Sequence, residues 1–204
     1  VFEKADLHIG AGEHVALMGA SGAGKSTLLS VIAGLAPITS GTVRIAGELL
    51  DDRSAAILRS RMAWVGQKPH LFSGSVYDNV ALHRPAISRR DVSAALRLAG
   101  LGTVVHLAPD SPLGEGGIGL SGGEAVRLAL ARIAAMPHAD LWLLDEPTAH
   151  LDRDTAQAVI DSLLRIARGR TLIVATHDRS LAARIGRVID VSQLDAAPAQ
   201  RRAA

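Results

Sequence analysis

The chain has 204 residues, 48% of them hydrophobic, with 22 basic and 20 acidic side chains and a formal net charge of +2. That length supports one sizeable core, and because only 2% of residues are aromatic, the core must be aliphatic. The nearly balanced charge excludes the basic face of a nucleic-acid-binding domain. The absence of cysteine excludes a disulfide framework, a thiol nucleophile and a thiolate metal site. No apolar run reaches the 18 residues of a membrane span.

The first third of the chain alternates between short apolar runs and glycine-rich turns. Residues 1–9 partly alternate and predict a strand, which suggests that the chain begins within a longer protein. Phe2, within this strand, is interpreted as a core residue. Further strands are predicted at 14–18, 42–45 and 62–65, and helices at 26–33 and 57–61.

The character of the chain changes after Pro69. Helices are predicted at 73–83, 88–99 and about 122–136, with a glycine-rich run at 113–119 before the third. Ser88 is the expected N-cap of the second helix, and Asp91 three residues later makes a weaker version of the capping box.

The strand and helix alternation then resumes. Strands are predicted at 141–144, 171–175 and 188–191, and helices at 152–168 and 179–185. The tail from 192 has no periodic pattern and is expected to be disordered. We therefore predict an α/β fold with a mostly parallel sheet. Its nucleotide-binding core would comprise 1–71 and 138–191, interrupted by a helical insert at 72–137.

The most informative stretch lies between the strand at 14–18 and the helix that follows. It reads Gly19, Ala20, Ser21, Gly22, Ala23, Gly24, Lys25, Ser26 and Thr27, the phosphate-loop spacing of Gly, four residues and Gly-Lys-Ser. The glycines allow a nest of backbone N–H groups, and the helix adds its positive end, so the predicted ligand is phosphate. Lys25 would reach the β- and γ-phosphates and Ser26 would bind Mg²⁺. An ordinary glycine turn is the alternative.

Two acidic residues, Asp145 and Glu146, follow the apolar run 141–144. In a doubly wound sheet, ligands gather at the carboxyl ends of the strands, so both carboxylates should face the phosphate loop. Asp145 is a candidate Mg²⁺ ligand, and Glu146 is a candidate general base for the attacking water. A solvated acidic turn is the alternative.

A second anion site is predicted at the start of the helix near 122. Leu120, Ser121, Gly122, Gly123 and Glu124 combine a hydroxyl with two glycines whose N–H groups are free at a helix N-terminus. A simple N-cap and turn is the alternative. Two phosphate-binding helix starts in one NTPase make sense if the second serves the nucleotide of another molecule.

Together these motifs resemble the nucleotide-binding domain of ABC transporters, over nearly the whole chain. In chain order the matches are Walker A at Gly19–Thr27, the Q-loop glutamine Gln67, the signature motif Leu120–Glu124, Walker B at Leu141–Glu146, the D-loop residues Ala149, His150, Leu151 and Asp152, and the switch histidine His177. The resemblance implies a RecA-like P-loop NTPase core with an N-terminal antiparallel β portion. It also implies ATP and Mg²⁺ as cofactors.

The resemblance assigns further roles to this chain's residues. Gln67 would sense Mg²⁺ and the attacking water, with Ser26 and Asp145 as the other metal-site residues. His177 would contact the γ-phosphate and hold Glu146, although a lone histidine after a strand is more often structural. The expected catalytic residues are therefore Glu146, His177, Gln67 and Lys25.

Two positions depart from the family's usual pattern. The signature usually ends in glutamine, where this chain has Glu124, and an acid near another molecule's ATP would weaken binding or alter nucleotide preference. The D-loop usually begins with serine, where this chain has Ala149, which removes a hydroxyl between the two sites. The family's adenine-stacking aromatic residue would lie upstream of Val1.

The run from Gln67 to Asn79 resembles the exporter branch of the family, and Leu113–Gly117 resembles the exporters' X-loop, with a flexible glycine linker as the alternative. By that resemblance the chain is an ATP hydrolase domain on the cytoplasmic face of a bacterial inner membrane, itself soluble. A transmembrane domain would precede it on the same full-length chain. The segments 114–132 and 145–152 look most like the glutathione and cysteine exporter CydCD, closer to its CydD half, with a CydC-like partner; lipid, drug and peptide exporters stay open.

Two other classes compete with the transport interpretation. An ABC-type ATPase acting on nucleic acid would carry a long coiled-coil insertion or a second tandem cassette, and this chain has neither. A P-loop kinase would need an acceptor site, and the Leu-Ser-Gly-Gly run would then be unexplained. The sequence therefore favours a second ABC ATPase domain as partner and no nucleic acid.

Overall fold

The computed structural model describes residues 5–194 apart from the side chain of Val105. The strands are β1 His14–Met18, β2 Arg44–Ile45, β3 Glu48–Leu49, β4 Met62–Val65, β5 Gly74–Ser75, β6 Pro112–Leu113, β7 Leu141–Asp145, β8 Thr171–Ala175 and β9 Arg187–Asp190. The helices are α1 Lys25–Ile32, α2 Ala55–Ser60, α3 Val76–Ala81, α4 Arg89–Leu98, α5 Gly122–Ala134, α6 Arg153–Ile166 and α7 Arg179–Arg184. Short 3-10 turns lie at Val105–Leu107, Glu115–Gly117 and Val191–Gln193.

Five strands form one parallel sheet in the order β4-β7-β8-β1-β9. The carboxyl ends of its central strands are in register, with Asp145 beside Ala175 and Ala175 beside Leu17. The segments that follow β7, β8 and β1 therefore leave the sheet at one edge, where doubly wound folds bind their ligands. The antiparallel pairs are β2 with β3 and β5 with β6.

The strands contribute alternate residues to two apolar layers, one on each face of the sheet, because successive side chains of a strand point to opposite faces. On one face, Trp142 and Leu144 of β7 pack in a cluster with buried residues of α5 and α6. On the other, Leu141 and Leu143 pack in a cluster with residues of α1 and α2. Being covered on both faces explains why β7 and β8 read as continuous apolar runs.

A third apolar cluster joins α3, α4 and α5 away from the sheet. Helix α5 belongs to two clusters, since Leu130 and Ile133 pack with the sheet residues and Leu128 and Ala131 pack with α3 and α4. Helix α5, which begins within the signature motif, thus packs against both parts of the molecule.

The sequence-based prediction of an α/β fold with a mostly parallel sheet is confirmed, and several element boundaries differ. Residues 5–9 form no strand, and residues 1–4, including Phe2, lie outside the described residues. The helix predicted from 73 begins at Val76 because Gly74 and Ser75 pair with β6, and it ends at Ala81 because Leu82 has a left-handed backbone conformation with φ 48°. The capping box of Ser88 and Asp91 is complete.

The predicted disordered tail is only partly within the structure. Val191–Gln193 form a 3-10 turn in which the carboxylate of Asp190 accepts from the N–H of Ser192, so the chain is still ordered there. Residues 195–204 lie outside the described residues.

Candidate nucleotide-binding site

The phosphate loop connects β1 to α1 at the carboxyl edge of the sheet. Gly19 has φ 155°, and a Cβ there would lie 2.7 Å from Cγ2 of Val191, so no other residue fits this close approach. Gly24 is the N-cap of α1, with φ 92° and no side-chain cap, and the first turn of α1 contains no acidic residue. The N–H groups at this helix start are therefore available to an anion.

Lys25 is folded over the loop that precedes it. Its Nζ donates hydrogen bonds to the carbonyl oxygens of Gly19, at 2.9 Å, and Ala20, at 3.1 Å. The same Nζ lies 3.7 Å from Oε1 of Glu146, and the two side chains are only 7% and 11% exposed. This partly desolvated cation could exchange the carbonyl oxygens for the oxygens of an anion.

Glu146 directly follows β7 and has a left-handed backbone conformation with φ 48°. Its backbone N–H donates to the carbonyl of Ala175 at 2.8 Å, which ties the turn to the end of β8. Its Oε2 accepts from the backbone N–H of His177 at 3.2 Å and lies 2.8 Å from Nδ1 of the same residue. Because a carboxylate only accepts hydrogen bonds, the imidazole proton of this contact is on Nδ1. The carboxylate is thus held between Lys25 and His177.

Asp145 is 8% exposed, and its Oδ1 is buried with no hydrogen-bond partner in the described part of the chain. An orphaned buried carboxylate oxygen is costly unless a ligand satisfies it, and carboxylate oxygen is a preferred ligand of Mg²⁺. No cluster of three His, Cys, Asp or Glu side chains that could hold a metal occurs among residues 5–194. A Mg²⁺ ion at Asp145 would therefore need the Ser26 hydroxyl and nucleotide oxygens as further ligands, which fits the donors present.

The other predicted metal-site residues lie at the same edge. Ser26, in the first turn of α1, and Thr27 are exposed. Gln67 follows β4, whose Val65 is paired with Leu144 next to Asp145, and its side chain is also exposed. The topology thus gathers Gln67, Ser26 and Asp145 at one end of the sheet.

The signature residues begin α5 and are satisfied within their own turn. Ser121 Oγ accepts from the N–H of Glu124 at 3.2 Å, while Oε2 of Glu124 accepts from the N–H and the Oγ–H of Ser121 at 2.9 and 2.8 Å. The backbone hydrogen bond from Ser121 is the largest cause that lowers the pKa of Glu124 below its ordinary value. Oε1 of Glu124 lies 3.1 Å from Nε2 of His106.

The signature glycines pack against the D-loop and α6. A Cβ on Gly123 would lie 2.2 Å from Cγ2 of Thr155, and one on Gly122 would lie 3.1 Å from Cδ2 of Leu151. No hydrogen bond or ion pair among the described residues joins Leu120–Glu124 to Gly19–Thr27. The structure therefore joins Lys25, Glu146 and His177 through direct contacts and leaves the signature motif outside that group, while Gln67 lies at the same edge of the sheet and, within residues 5–194, makes no hydrogen bond to them.

The D-loop lies between these two groups. It begins at Ala149, three residues after Glu146, and His150 has a left-handed backbone conformation with φ 63°. Asp152 is the N-cap of α6, because its side chain accepts from the N–H groups of Asp154 and Thr155. A cleft of about 440 Å³ is lined by D-loop residues together with His177. Its lining includes the exposed polar side chains of His150, Arg153 and Gln157.

Sequence reasoning missed Thr148 and His106, which contact residues of this site. Thr148 Oγ1 donates to Oδ2 of Asp178 at 2.9 Å and so joins the segment after β7 to the segment after β8. Burial raises the pKa of Asp178, but hydrogen bonds from Ser180 and Thr148 outweigh it, so the net shift is downward. Asp178 is also the N-cap of α7, which its position before Ser180 and Leu181 could have indicated. The second missed residue is His106, which no local pattern connects to Glu124.

Comparison with known proteins identifies the family. Residues 2–149 match the model for "ABC transporter". The chain belongs to the ABC transporter family. The family's P-loop NTPase fold agrees with the sheet and loop described above, and the chain is an ATPase domain that binds ATP.

Individual relatives place it with the ATP-binding domains of exporter type. The chain is 37% identical over 90% of its length to the mycobactin import ATP-binding/permease protein IrtB of Mycolicibacterium thermoresistibile, of which it covers 34%. It is 40% identical over 84% of its length to the glutathione/L-cysteine transport system ATP-binding/permease protein CydC of Escherichia coli, of which it covers 30%. The structure of a bacterial Atm1-family ABC exporter with ATP bound matches 90% of the chain with a TM-score of 0.79 and 32% identity, and the chain covers 33% of it.

The chain thus spans about a third of the length of these ATP-binding/permease relatives. No helix among the described residues has the length and apolar character needed to cross a membrane.

Proposed function

We propose that this ATPase domain pairs head to tail with a second domain of its kind, encloses two ATP molecules and powers transport by an ABC exporter. One face of each ATP would be bound by the phosphate loop of one domain, and the other face by the signature motif of its partner. Closure would complete each site and hydrolysis would reopen it. The helical insert would pass this motion to a transmembrane domain.

The phosphate-loop group and the signature motif make separate sets of contacts, and this separation supports sites that are formed by two chains. Lys25, Glu146 and His177 form one chain of contacts at the edge of the sheet. Ser121 is exposed at the start of α5 and makes its hydrogen bonds to Glu124. A second phosphate-binding helix start without a connection to the first is useful when it serves another molecule's nucleotide.

Each group of residues has a role in this proposal. Lys25 would bind the β- and γ-phosphates once released from the loop carbonyls, and Glu146 would polarise the attacking water. His177 would hold Glu146 through Nδ1 and leave Nε2 free for the γ-phosphate. A bound Mg²⁺ would offset phosphate charge, held by Asp145 and Ser26 and contacted by Gln67. The phosphate loop is Gly19–Thr27, the partner-facing signature is Leu120–Glu124, and the D-loop that links the two sites is Ala149–Asp152.

The division of the chain follows the same proposal. Residues 1–71 and 138–191 would be the nucleotide-binding core, 72–137 the helical subdomain and 192–204 a tail. The transmembrane domain would belong to the same full-length protein, which fits relatives named ATP-binding/permease proteins. The domain would then work at the cytoplasmic face of a bacterial inner membrane.

We propose thiols, glutathione or cysteine, as the transported substrate, for cytochrome bd assembly. The sequence resembles the CydD half of the CydCD exporter, and CydC, the other half, is among its relatives. The partner would then be the complementary half. One relative is named for mycobactin import, so a different transported substrate is an alternative. Lipids, drugs and peptides, which other exporters carry, are further alternatives. Glutathione-stimulated ATPase activity of the full-length transporter in lipid vesicles, without stimulation by unrelated lipids or peptides, would support the thiol proposal.

The two-chain site can be tested by mixing two inactive variants. Lys25→Ala removes the phosphate-binding cation, and Ser121→Glu puts a carboxylate at the exposed start of α5, facing the partner's γ-phosphate. Each alone should be inactive. In a 1:1 mixture, half of the dimers combine an intact phosphate loop with an intact signature at one site, so roughly a quarter of wild-type activity should return.

The mixing experiment has a direct control. Mixing either variant with the double variant Lys25→Ala/Ser121→Glu creates no site with both parts intact and should restore nothing. If the two single variants are folded by circular dichroism, yet their mixture stays inactive, the two-chain site is wrong. Wild-type activity that is strictly first order in protein concentration would contradict it as well.

A further inference from the structure

At the start of α5, where an anion is expected to bind, the carboxylate of Glu124 already accepts the available hydrogen bonds of Ser121. Both hydrogen atoms that Ser121 can donate, from its N–H and its Oγ–H, go to Oε2 of Glu124. Ser121 Oγ in turn accepts from the N–H of Glu124. The hydroxyl that would bind a γ-phosphate is therefore already used inside its own chain.

The other oxygen of Glu124 has a separate partner. Oε1 lies 3.1 Å from Nε2 of His106, in the 3-10 turn Val105–Leu107, and that imidazole is 58% exposed. Arg127, one turn later on α5, also faces Glu124, and its guanidinium donates to the carbonyls of Gly123 and Gly100. Arginine keeps its charge at every working pH. Histidine is the side chain here that changes charge between pH 5 and 8.

We propose that Glu124 restrains the signature serine and that His106 sets the strength of this restraint through its own charge. Glu124 acts as a positioning residue and does not react with the substrate. In the open domain it holds the Ser121 hydroxyl in the cap. In the closed pair its carboxylate lies close to the partner's γ-phosphate and opposes closure. This inference rests on the proposed head-to-tail pairing and concerns how tightly the pair closes.

Two physical effects act in the same direction. First, Ser121 must give up its hydrogen bond to a carboxylate before it can donate to phosphate, and charge-assisted hydrogen bonds are the strong ones. Second, the carboxylate and the phosphate have like charges in a site from which closure expels water. Glutamine at this position would keep the capping box, because its side-chain oxygen can accept the same two hydrogen bonds. It would remove the negative charge.

The contact with His106 makes the restraint depend on pH. When His106 is protonated, its charge offsets that of Glu124, so closure on ATP should be easier. When it is neutral, Nε2 can still donate to Oε1, but the negative charge of Glu124 is no longer balanced by it, so closure should be harder. Arg127 contributes the same charge in both cases.

The experiment measures ATP-dependent dimerisation by sedimentation velocity in a Glu146→Gln background, which blocks hydrolysis. Glu124→Gln should lower the protein concentration needed for half-dimerisation about tenfold at pH 8, roughly 1.4 kcal/mol. The difference should be much smaller at pH 6. His106→Gln, with Glu124 retained, should remove the rise in affinity between pH 8 and pH 6.

A matched control is available in α4. Asp91→Asn alters the equivalent capping box of Ser88, which the proposed interface does not use. This variant should dimerise like the background protein at both pH values. In the hydrolysis-competent protein, Glu124→Gln should lower the ATP concentration for half-maximal rate more than it changes the maximal rate.

The outcomes separate this inference from the function on which it rests. Equal or weaker dimerisation of Glu124→Gln at both pH values, in a background that does dimerise with ATP, would overturn the restraint and leave the two-chain site intact. A pH response that persists in His106→Gln would overturn the role of His106. If neither background nor variant dimerises while both bind ATP, the head-to-tail pairing itself fails and the inference fails with it.

Discussion

Two helix starts in this molecule are candidates for phosphate, and they are built in opposite ways. Helix α1 begins after Gly24, with no side-chain cap and no acid in its first turn. Helix α5 begins after Ser121, with a complete capping box that includes Glu124. The N–H groups of α1 are open to an anion, whereas α5 satisfies part of its own N-terminus and adds a negative charge.

The side chains around the two helix starts differ as well. Lys25 is the first residue of α1, and near it lie the carboxylates of Asp145, which is buried, and Glu146, which is 11% exposed. These groups can bind phosphate, metal and water. Beside α5 lies His106, and no ion pair reaches the phosphate loop within the described range. We infer that α1 binds nucleotide in the single domain, and that α5 does so only when the gain from pairing offsets the loss of its cap.

The largest effect should follow from removing the general base beside α1. Glu146→Gln keeps the shape of the side chain but cannot accept a proton from water, so hydrolysis should fall by about 10²–10⁴. ATP binding should be retained, because Lys25 and the loop are unchanged. Phosphate release and calorimetric ATP titration measure the two quantities. Glu48→Gln, at an exposed carboxylate, should change neither, and a comparable rate in Glu146→Gln would show that the base is elsewhere.

Removal of the cation should affect binding itself. Lys25→Ala takes away a charge-assisted contact to phosphate, typically about 1.5–3 kcal/mol, so ATP affinity should fall roughly 10- to 100-fold. It also leaves Glu146 without its 3.7 Å cationic partner. Lys68→Ala removes an exposed lysine and should bind ATP as the wild type does. Unchanged affinity in Lys25→Ala would mean that the nucleotide does not lie over α1.

Much of the α1 region could be predicted from sequence, because its signals are local. The loop spacing, the apolar runs of β1, β7 and β8, and the rule that ligands gather at carboxyl ends together predict that Asp145 and Glu146 face the loop. In the structure Glu146 lies 3.7 Å from Lys25, and Asp145 ends β7 at the same edge of the sheet. That Lys25 rests on the carbonyls of Gly19 and Ala20 was not predictable, since it depends on the detailed fold of the loop.

The α5 region was less predictable because its important contact is tertiary. The sequence predicted an anion site at Ser121, with an N-cap as the alternative, and showed Glu124 as a departure from the usual pattern. His106 is 18 positions before Glu124, in an irregular segment. Its approach to Glu124 depends on how the segment after α4 folds back, which has no periodic signature. The start of α3 was misjudged for a similar reason, because Gly74 and Ser75 pair with residues 112 and 113 far along the chain.

One added negative charge would make the start of α1 resemble the start of α5. Thr27 is exposed and occupies in α1 the position that Glu124 has in α5. Thr27→Glu should place a carboxylate next to the phosphates and lower ATP affinity of the single domain by about tenfold. Thr27→Gln has nearly the same shape without the charge and serves as the control. Equal affinity of the two variants would show that an acid at this position does not oppose phosphate, and the contrast with α5 would lose its meaning.

The smallest effect expected is on stability at low pH, and it should arise at α5 alone. The pKa of Glu124 is lowered in the folded protein from 4.5, chiefly by the backbone hydrogen bond from Ser121. Its stabilisation is therefore fully present above that ordinary value and is lost as the pH falls through the lowered one. A capping interaction is worth roughly 1 kcal/mol, so Glu124→Ala should lower the Tm by about 2–4 °C at pH 7. The gap in Tm between the two proteins should narrow as the pH falls through and below 4.5. Thr27→Ala, at the uncapped start of α1, should show a difference in Tm that does not vary with pH. A Glu124→Ala difference that persists undiminished over the whole acid range in which the protein stays folded would show that the carboxylate does not carry the cap.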